Sequence, residues 1–413
     1  MANAISTNKS VTGIVAKAAA QMFRNELGFT SSIDKEDAST FGKNFESVQP
    51  GDTIYVNKPA RFTVRTNATF SAQDVTEEKV ALTVDQRRGV DINLTSAEMA
   101  TDLAMKSWMQ RILKPAVQRV AEEVEAYNLQ TAIQSTYQLV GTPGTSPATS
   151  TVFLQAKQKI NEHSDTGEQL MACISPGVNT TMVPALQGLF LPSKQVSDQF
   201  IKGMLGSSTL GMDFMTSNLL YTHTNGTAVS QSVLINGAVS TNGTSTIAVD
   251  AITGTNTLTK GTVFTIAGVY DVNPVTKATL PNLKQFVVTA DTAASGGAIA
   301  SLPISPTLYF SGTLQNVSTT IADNAALTFS TGTTASSLYG QNLVYNKAAF
   351  RFCSIPLFNP EQGVVESSTE TVDGISIRAL KYYDGDNDKL KLRLDTQFGF
   401  VSVRPEWASR VTS

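Results

Sequence analysis

At 413 residues the chain exceeds what one hydrophobic core ordinarily organises, which predicts roughly two or three domains. Charged residues make up only 16%, against about 25% in ordinary soluble domains, and Ser, Thr, Asn and Ala fill the difference. A net charge of −3 excludes electrostatic clamping of nucleic acid over most of the surface, and no run of about 18 apolar residues offers a membrane span.

The N-terminal segment has no charged stretch followed by a compact apolar core, so it does not read as a secretory signal. Val11, Ile14, Val15, Ala18, Met22 and Phe23 instead recur at helical spacing, which predicts a helix over residues 1–27 ending in a left-handed cap at Gly28. From Asp52 to Leu94 the period falls to two: Thr53–Val56, Phe62–Arg65, Val80–Val84 and Val90–Leu94 read as strands around a polar tip, SAQDVTEEK. A ribbon so poor in apolar residues cannot stand alone and is expected to lean on another surface, including that of another subunit.

Thr95-Ser96-Ala97-Glu98 is a capping-box pattern. Beyond it, Ala116, Val117, Val120, Ala121, Val124, Tyr127, Leu129 and Ile133 form one apolar stripe, predicting a long helix over residues 105–135 with a kink site at Pro115. After the loop GTPGTSPATS, helices are expected at Val152–Glu162 and near Gln195–Met204, and a strand at Leu170–Ser175.

Composition then changes sharply: only seven charged residues lie between Thr222 and Gln341. Short alternating runs there predict strands at Ser232–Ile235, Thr246–Val249, Thr262–Ala267, Gln285–Thr289, Ala298–Leu302 and Ala326–Phe329, a small β-barrel or sandwich inserted into the chain. Charge density recovers over Asn342–Ile355 and Ser376–Val403, so the insert interrupts a domain.

Chemistry is poorly supported throughout. His163 and His223 each lack a sequence-near cysteine or paired carboxylate, and no phosphate loop or H-E-x-x-H occurs, so no catalytic, cofactor-binding or metal residue is expected and the chain is not read as an enzyme. Cys173 and Cys353 stand in apolar surroundings and read as core thiols. Asp384-Gly385-Asp386-Asn387-Asp388 imitates the start of a calcium loop, but Lys389 occupies the position that needs glycine, and flanking strands favour a hairpin turn. Arg87-Arg88 reads as solvated or paired with acids across an interface rather than as a phosphate contact.

The order of these elements carries a resemblance. Ile201–Gly206 followed by Leu210–Phe214 and Ser217–Leu220, the return Leu343–Phe350, and the tail Gly374–Arg378, Tyr382–Asp384, Arg393–Asp395, Phe398–Phe400 and Arg404–Trp407 together resemble major capsid proteins of tailed bacteriophages. The insert between Leu220 and Leu343 resembles that of P22-like coat proteins, with Leu258–Lys277 and Lys284–Thr289 as core strands, although Thr262 stands where many relatives carry Asp.

The resemblance implies an α+β, HK97-like capsid fold with an inserted small β-barrel. Its parts would be an N-terminal arm (1–30), an extended loop (31–94), a peripheral domain with a spine helix (95–150), an axial domain (151–221), the inserted barrel (222–341), the axial return (342–360) and C-terminal peripheral strands (361–413). It implies no cofactor, and a homo-oligomer of pentamers and hexamers forming an icosahedral head, built as a precursor shell that expands on DNA packaging. Implied partners are a scaffolding protein, a portal protein, decoration proteins and double-stranded DNA enclosed without sequence-specific binding. No membrane is involved, and the protein would be assembled in the host cytoplasm and reside in the virion. A noncovalent shell is expected, since no Lys and Asn pair stands out for crosslinking. The insert would aid folding, make contacts between capsomers through Tyr270–Pro281, or both. The other readings are a phage tail, adhesin or surface-layer β-rich structural protein, which leaves the long helix unexplained, and an enzyme working without a recognisable motif.

Overall fold

The computed structural model describes residues 11–36, 53–58, 77–95, 109–163, 169–186, 210–360, 365–387 and 389–413, with isolated positions 62, 68 and 72. The first ten arm residues, most of Phe62–Arg65 and of the polar tip, the capping box beyond Thr95, the helix near Gln195–Met204 and the Ile201–Gly206 motif lie outside the described residues. The chain divides into two compact units, Met1–Val56 with Val80–Asn128 and Arg351–Val401, and Asn57–Lys79 with Leu129–Phe350 and Ser402–Ser413.

In the first unit, α1 (Val11–Glu26) packs its buried face, including Val15, Ala16, Ala19 and Phe23, against β19 (Val365–Val372) and β20 (Ile375–Asp384). It does not end in a left-handed cap. Gly28 is right-handed, with φ −81°, and starts a second short helix, α2 (Phe29–Ser32). The reason is a carboxylate: Glu125 is buried, and it accepts the N–H groups of Gly28, Phe29 and Thr30 together with the Thr30 hydroxyl at 2.6 Å, which turns the chain back into helix.

Glu125 lies on α3 (Lys114–Ser135), preceded by a π-helical turn at Met109–Leu113. Pro115 has no N–H to donate, and the hydrogen-bond ladder widens over the π-helical turn immediately before it.

Strand order in the main sheet of this unit is β1 (Asp34–Glu36), β18 (Phe350–Ile355), β21 (Lys389–Ser402), β20 and β19, with β4 (Gln86–Thr95) also pairing β21. The β4 pairing corrects the expected ribbon. Residues 86–95 run antiparallel to β21 from Phe398 to Lys389 in the same chain, while β2 (Thr53–Asn57) pairs with β3 (Lys79–Thr83) separately. Alternation alone does not say which partner a strand takes. Phe398 centres the core, stacked on Phe352 at 5.8 Å and edge-on to Tyr127 at 5.7 Å.

Arg87 and Arg88 are also resolved within the chain. Arg87 reaches Asp395, which Arg378 holds bidentately at 3.0 and 2.8 Å, and Arg88 lies over the Tyr127 ring at 5.4 Å. Asp384 to Lys389 closes a hairpin between β20 and β21, and Asp384 accepts from Asn387 at 3.0 Å. The Asp/Gly/Asn run is therefore turn chemistry.

The second unit contains two six-stranded sheets. The first runs β5 (Leu139–Val140), β22 (Ala408–Thr412), β17 (Leu338–Tyr345), β6 (Leu170–Ile174), β7 (Met212–Thr216), with β8 (Thr222–Thr224) also pairing β17. Helix α4 (Ser150–Asn161) buries Phe153, Ala156 and Ile160 in the core of this sheet.

Helix α5 (Pro176–Leu186) was not foreseen from the apolar pattern, though Ser175-Pro176 is a start signal: the Ser175 hydroxyl accepts the Val178 N–H at 3.3 Å, and Pro occupies the first turn. The return segment Leu343–Phe350 is strand followed by the 3-10 turn Lys347–Ala349 and the start of a new strand.

The second sheet runs β16 (Leu327–Phe329), β12 (Val263–Val272), β13 (Thr279–Val288), β15 (Ile299–Leu308), β10 (Thr244–Asp250), β9 (Leu234–Ile235), and a bridge from Leu234 to Ala326 joins its two ends. All the predicted strands of this region are present, but β12 runs on past Gly268. With φ +80°, Gly268 sits where the β12–β13 register shifts, so it is a bulge in the strand and not its end. The exposed turn shrinks accordingly to the residues between Val272 and Thr279.

Candidate functional site: a buried polar junction

The second sheet meets the first through Tyr137, Leu139, Val263 and Val287, all buried. Around this apolar contact stand Asp271 and Lys284, two of the seven charged residues between Thr222 and Gln341. The β12 bulge aims Asp271 at Lys284 on the facing strand, Nζ to Oδ1 2.9 Å, and at the ring of His163 beyond α4, Nε2 to Oδ2 3.2 Å. Burial pushes the Asp271 carboxyl up, but the Lys284 ammonium and His163 outweigh it and hold the group well below the usual carboxylate range. Lys284 is only 2% exposed and lies over the Tyr137 ring at 4.9 Å.

Next to this cluster Gln285 stands in for a strand neighbour. Its Oε1 accepts the Leu139 N–H at 2.9 Å, and its Nε2 donates to the Leu139 carbonyl at 3.0 Å. Lys159 of α4 donates to the same carbonyl at 3.0 Å and to Gln285 Oε1 at 2.5 Å. Burial pulls the Lys159 amine down to about 8, against the opposing fields of Asp271 and Glu162. On the far side of His163 the Trp407 indole donates to its carbonyl at 3.3 Å, and Arg404 stacks on Trp407 at 4.0 Å.

His223 is fully buried, with Nε2 3.4 Å from the Thr262 hydroxyl, and burial together with Arg410 lowers it to about 4. The two histidines thus have partners far off in sequence. His163 and Asp271 are 108 positions apart, a separation no local motif search spans. Lys284 and Gln285 belong to a stretch legible only as a strand, because nothing in alternation marks which polar residues face another sheet.

A cleft of ≈ 170 Å³ beside the junction is bordered by Tyr137, His163, Lys284 and Tyr309. It falls short of the roughly 300–1,000 Å³ of small-molecule sites. Among the described residues no group of three His, Cys, Asp or Glu side chains is placed to hold a metal, and no helix is long and apolar enough to cross a membrane. Both cysteines are buried. The arrangement is an adhesive one: it ties a sheet of low charge onto its support through paired and hydrogen-bonded groups.

Residues 4–410 match the family model described as P22 coat protein, gene protein 5. No curated protein matches the chain. Among solved structures it is similar to Mycobacterium phage Che8 at 10% identity and TM-score 0.47, covering 93% of this chain and 90% of that one. The capsid of Ralstonia phage GP4 gives 6% identity and TM-score 0.46, covering 92% and 87%. The CUS-3 coat protein I-domain gives 23% identity and TM-score 0.19, covering 25% of this chain and 97% of that one. Because the family model spans nearly the whole sequence, the chain belongs to the P22 coat protein family and is a structural coat protein of a tailed bacteriophage capsid.

Proposed function

We propose that copies of this chain self-assemble into the pentamers and hexamers of an icosahedral phage head. They form first a precursor shell with a scaffolding protein, then an expanded shell around packaged double-stranded DNA, with a portal protein at one vertex and decoration proteins where the shell needs them. The observation that carries this reading is the family match over residues 4–410.

In this reading the fold is HK97-like. Residues 1–30 form the arm, 95–150 the peripheral domain with its spine helix, 151–221 with 342–360 the axial domain, and 361–413 the peripheral strands. Residues 222–341 form an inserted small barrel, a reading supported by the bridge that joins the ends of their sheet and by a core of their own, including Phe264, Phe286 and Phe329. The extended loop narrows from 31–94 to the segment around β2 and β3, since β4 is committed to β21. Exposed Tyr55 and Phe62 at this loop suit a contact with a neighbouring copy.

The protein assembles in the host cytoplasm and resides in the virion. It works by geometry rather than catalysis, and expansion asks for interfaces with alternative packings. Size-exclusion chromatography and negative-stain microscopy of the protein expressed with and without its scaffold test the reading. Closed shells tens of nanometres across are expected, and a stable monomer with or without scaffold contradicts it.

A further inference from the structure

We propose that Arg410, in strand β22, is a positioning residue that fixes the entrance of the second sheet on the first, so that the placement of the inserted region tightens when β22 docks. The proposal rests on the contacts within the second unit and not on the assembly reading.

Strand β22 lies between β5 and β17 in the first sheet: Arg410 stands opposite Leu343 of β17 and beside Leu139 of β5, and its own N–H donates to the Gln138 carbonyl at 2.8 Å. Its guanidinium is 0% exposed. Nε donates to the Thr136 carbonyl, just past the end of α3, and Nη1 to the Gly261 carbonyl, in the turn that leads into β12, each at 2.7 Å. One planar fork thus joins the end of the long helix, the end of the chain and the entrance to the second sheet, from residues 274 and 149 positions away.

The turn is shaped for this approach. Gly261 has φ +92°, and a Cβ there would meet Gln134 Cγ at 3.3 Å and His223 Nδ1 at 3.4 Å. Burial draws the guanidinium down to about 9. A buried cation held by carbonyls costs more than a hydrocarbon of the same volume, and what it supplies in return is direction.

The second sheet does not need β22 for its own core, since the cluster around Phe264, Phe286 and Phe329 draws on residues 228–329 alone. Its placement is a separate matter. Apolar contact between Tyr137, Leu139, Val263 and Val287 is non-directional; Gln285 and Asp271 orient β13 and the end of β12 through their bonds to Leu139 and His163, and the two Arg410 bonds fix the turn by which the chain enters β12.

Hydrogen exchange on the full-length chain tests this, with two built-in reporters. The Leu139 N–H is held across the junction by Gln285, and the amides of Phe264 and Phe286 lie inside the second sheet. Arg410→Met is expected to speed exchange at Leu139 by about tenfold, the effect of roughly one lost hydrogen bond, while Phe264 and Phe286 are unchanged. Arg410→Lys, which keeps the charge but reaches one carbonyl, is expected to lie between.

Unchanged exchange at Leu139 in Arg410→Met overturns the proposal, as does an equal rise at Phe264 and Phe286. Should Arg410→Met yield no folded protein, Gly261→Ala, which displaces the acceptor and leaves the guanidinium intact, must produce the same selective rise. Its failure to do so overturns the proposal equally.

Discussion

One side-chain amide, that of Gln285, satisfies both backbone groups of Leu139, accepting its N–H at 2.9 Å and donating to its carbonyl at 3.0 Å. Gln285→Leu fills the same space but strands these groups and one bond of Lys159, so it is expected to destabilise the second unit by about 2–3 kcal/mol. Gln285→Glu keeps the acceptor and gains a counter-charge for Lys159, but sets its second oxygen against the Leu139 carbonyl, and is expected to cost less than Gln285→Leu, about 1–2 kcal/mol. Urea denaturation of the two variants checks the order.

Two ion pairs in the first unit should differ in worth. Asp395 is 4% exposed, paired with Arg378 and reached by Arg87, so Asp395→Asn is expected to cost about 3 kcal/mol or more by leaving Arg378 buried without its counter-charge. The pair Arg393 and Asp91 is as short, at 2.7 Å, but 44% and 64% exposed, and Arg393→Ala is expected to cost under about 1 kcal/mol. Thermal melting of both variants decides whether burial or bond length sets the worth of these pairs.

Glu125 is a different case, because it faces only donors. Its carboxylate accepts from Gly28, Phe29 and Thr30, and burial raises its pKa despite them. Glu125→Gln turns one of its two acceptors into a donor aimed at donors. It is expected to cost about 2 kcal/mol and to free the turn at Gly28, measured as proteolysis between α1 and α2.

Acid sensitivity should be traceable to His223. Its folded pKa, about 4, lies below the ordinary 6.5, so between these values the unfolded chain binds the proton and the folded one does not. The stabilisation from keeping it neutral is therefore full above pH 6.5 and lost as pH falls toward 4, a span worth about 3 kcal/mol. His223→Gln should flatten the dependence of unfolding free energy on pH across that window. An unchanged slope would show that other groups cause the loss.

Removing residues 222–341 is expected to give insoluble or misassembled protein. The ends of the cut are neighbours, with Thr222 paired to Gly340, so a short linker closes the gap without strain. What is lost is the cover over Tyr137 and Leu139. Soluble, shell-forming deletion product would contradict this.

Much of the architecture was legible because it follows from periodicity. The apolar stripe from Val117 to Ile133 marked the long helix, and the alternation around Phe264 and Phe286 marked core strands. Pairing was less legible. Residues 80–84 and 90–94 read alike, yet only the latter join β21, because a strand's neighbour is chosen by tertiary packing. The junction was invisible for a related reason: His163, Asp271, Gln285 and Arg410 are ordinary polar residues until folding brings segments more than a hundred positions apart together. The turn at Gly28 was misread because its cause, Glu125, lies 95 positions from the nearest of its donors on Thr30.

Cryo-electron microscopy of particles purified after expression with the scaffold tests the central claim most directly. The account predicts closed icosahedral shells built of pentamers and hexamers of this chain, with the exposed Tyr55 and Phe62 covered by an adjacent copy. Open tubes, or discrete monomers that leave Tyr55 and Phe62 in solvent, would contradict it.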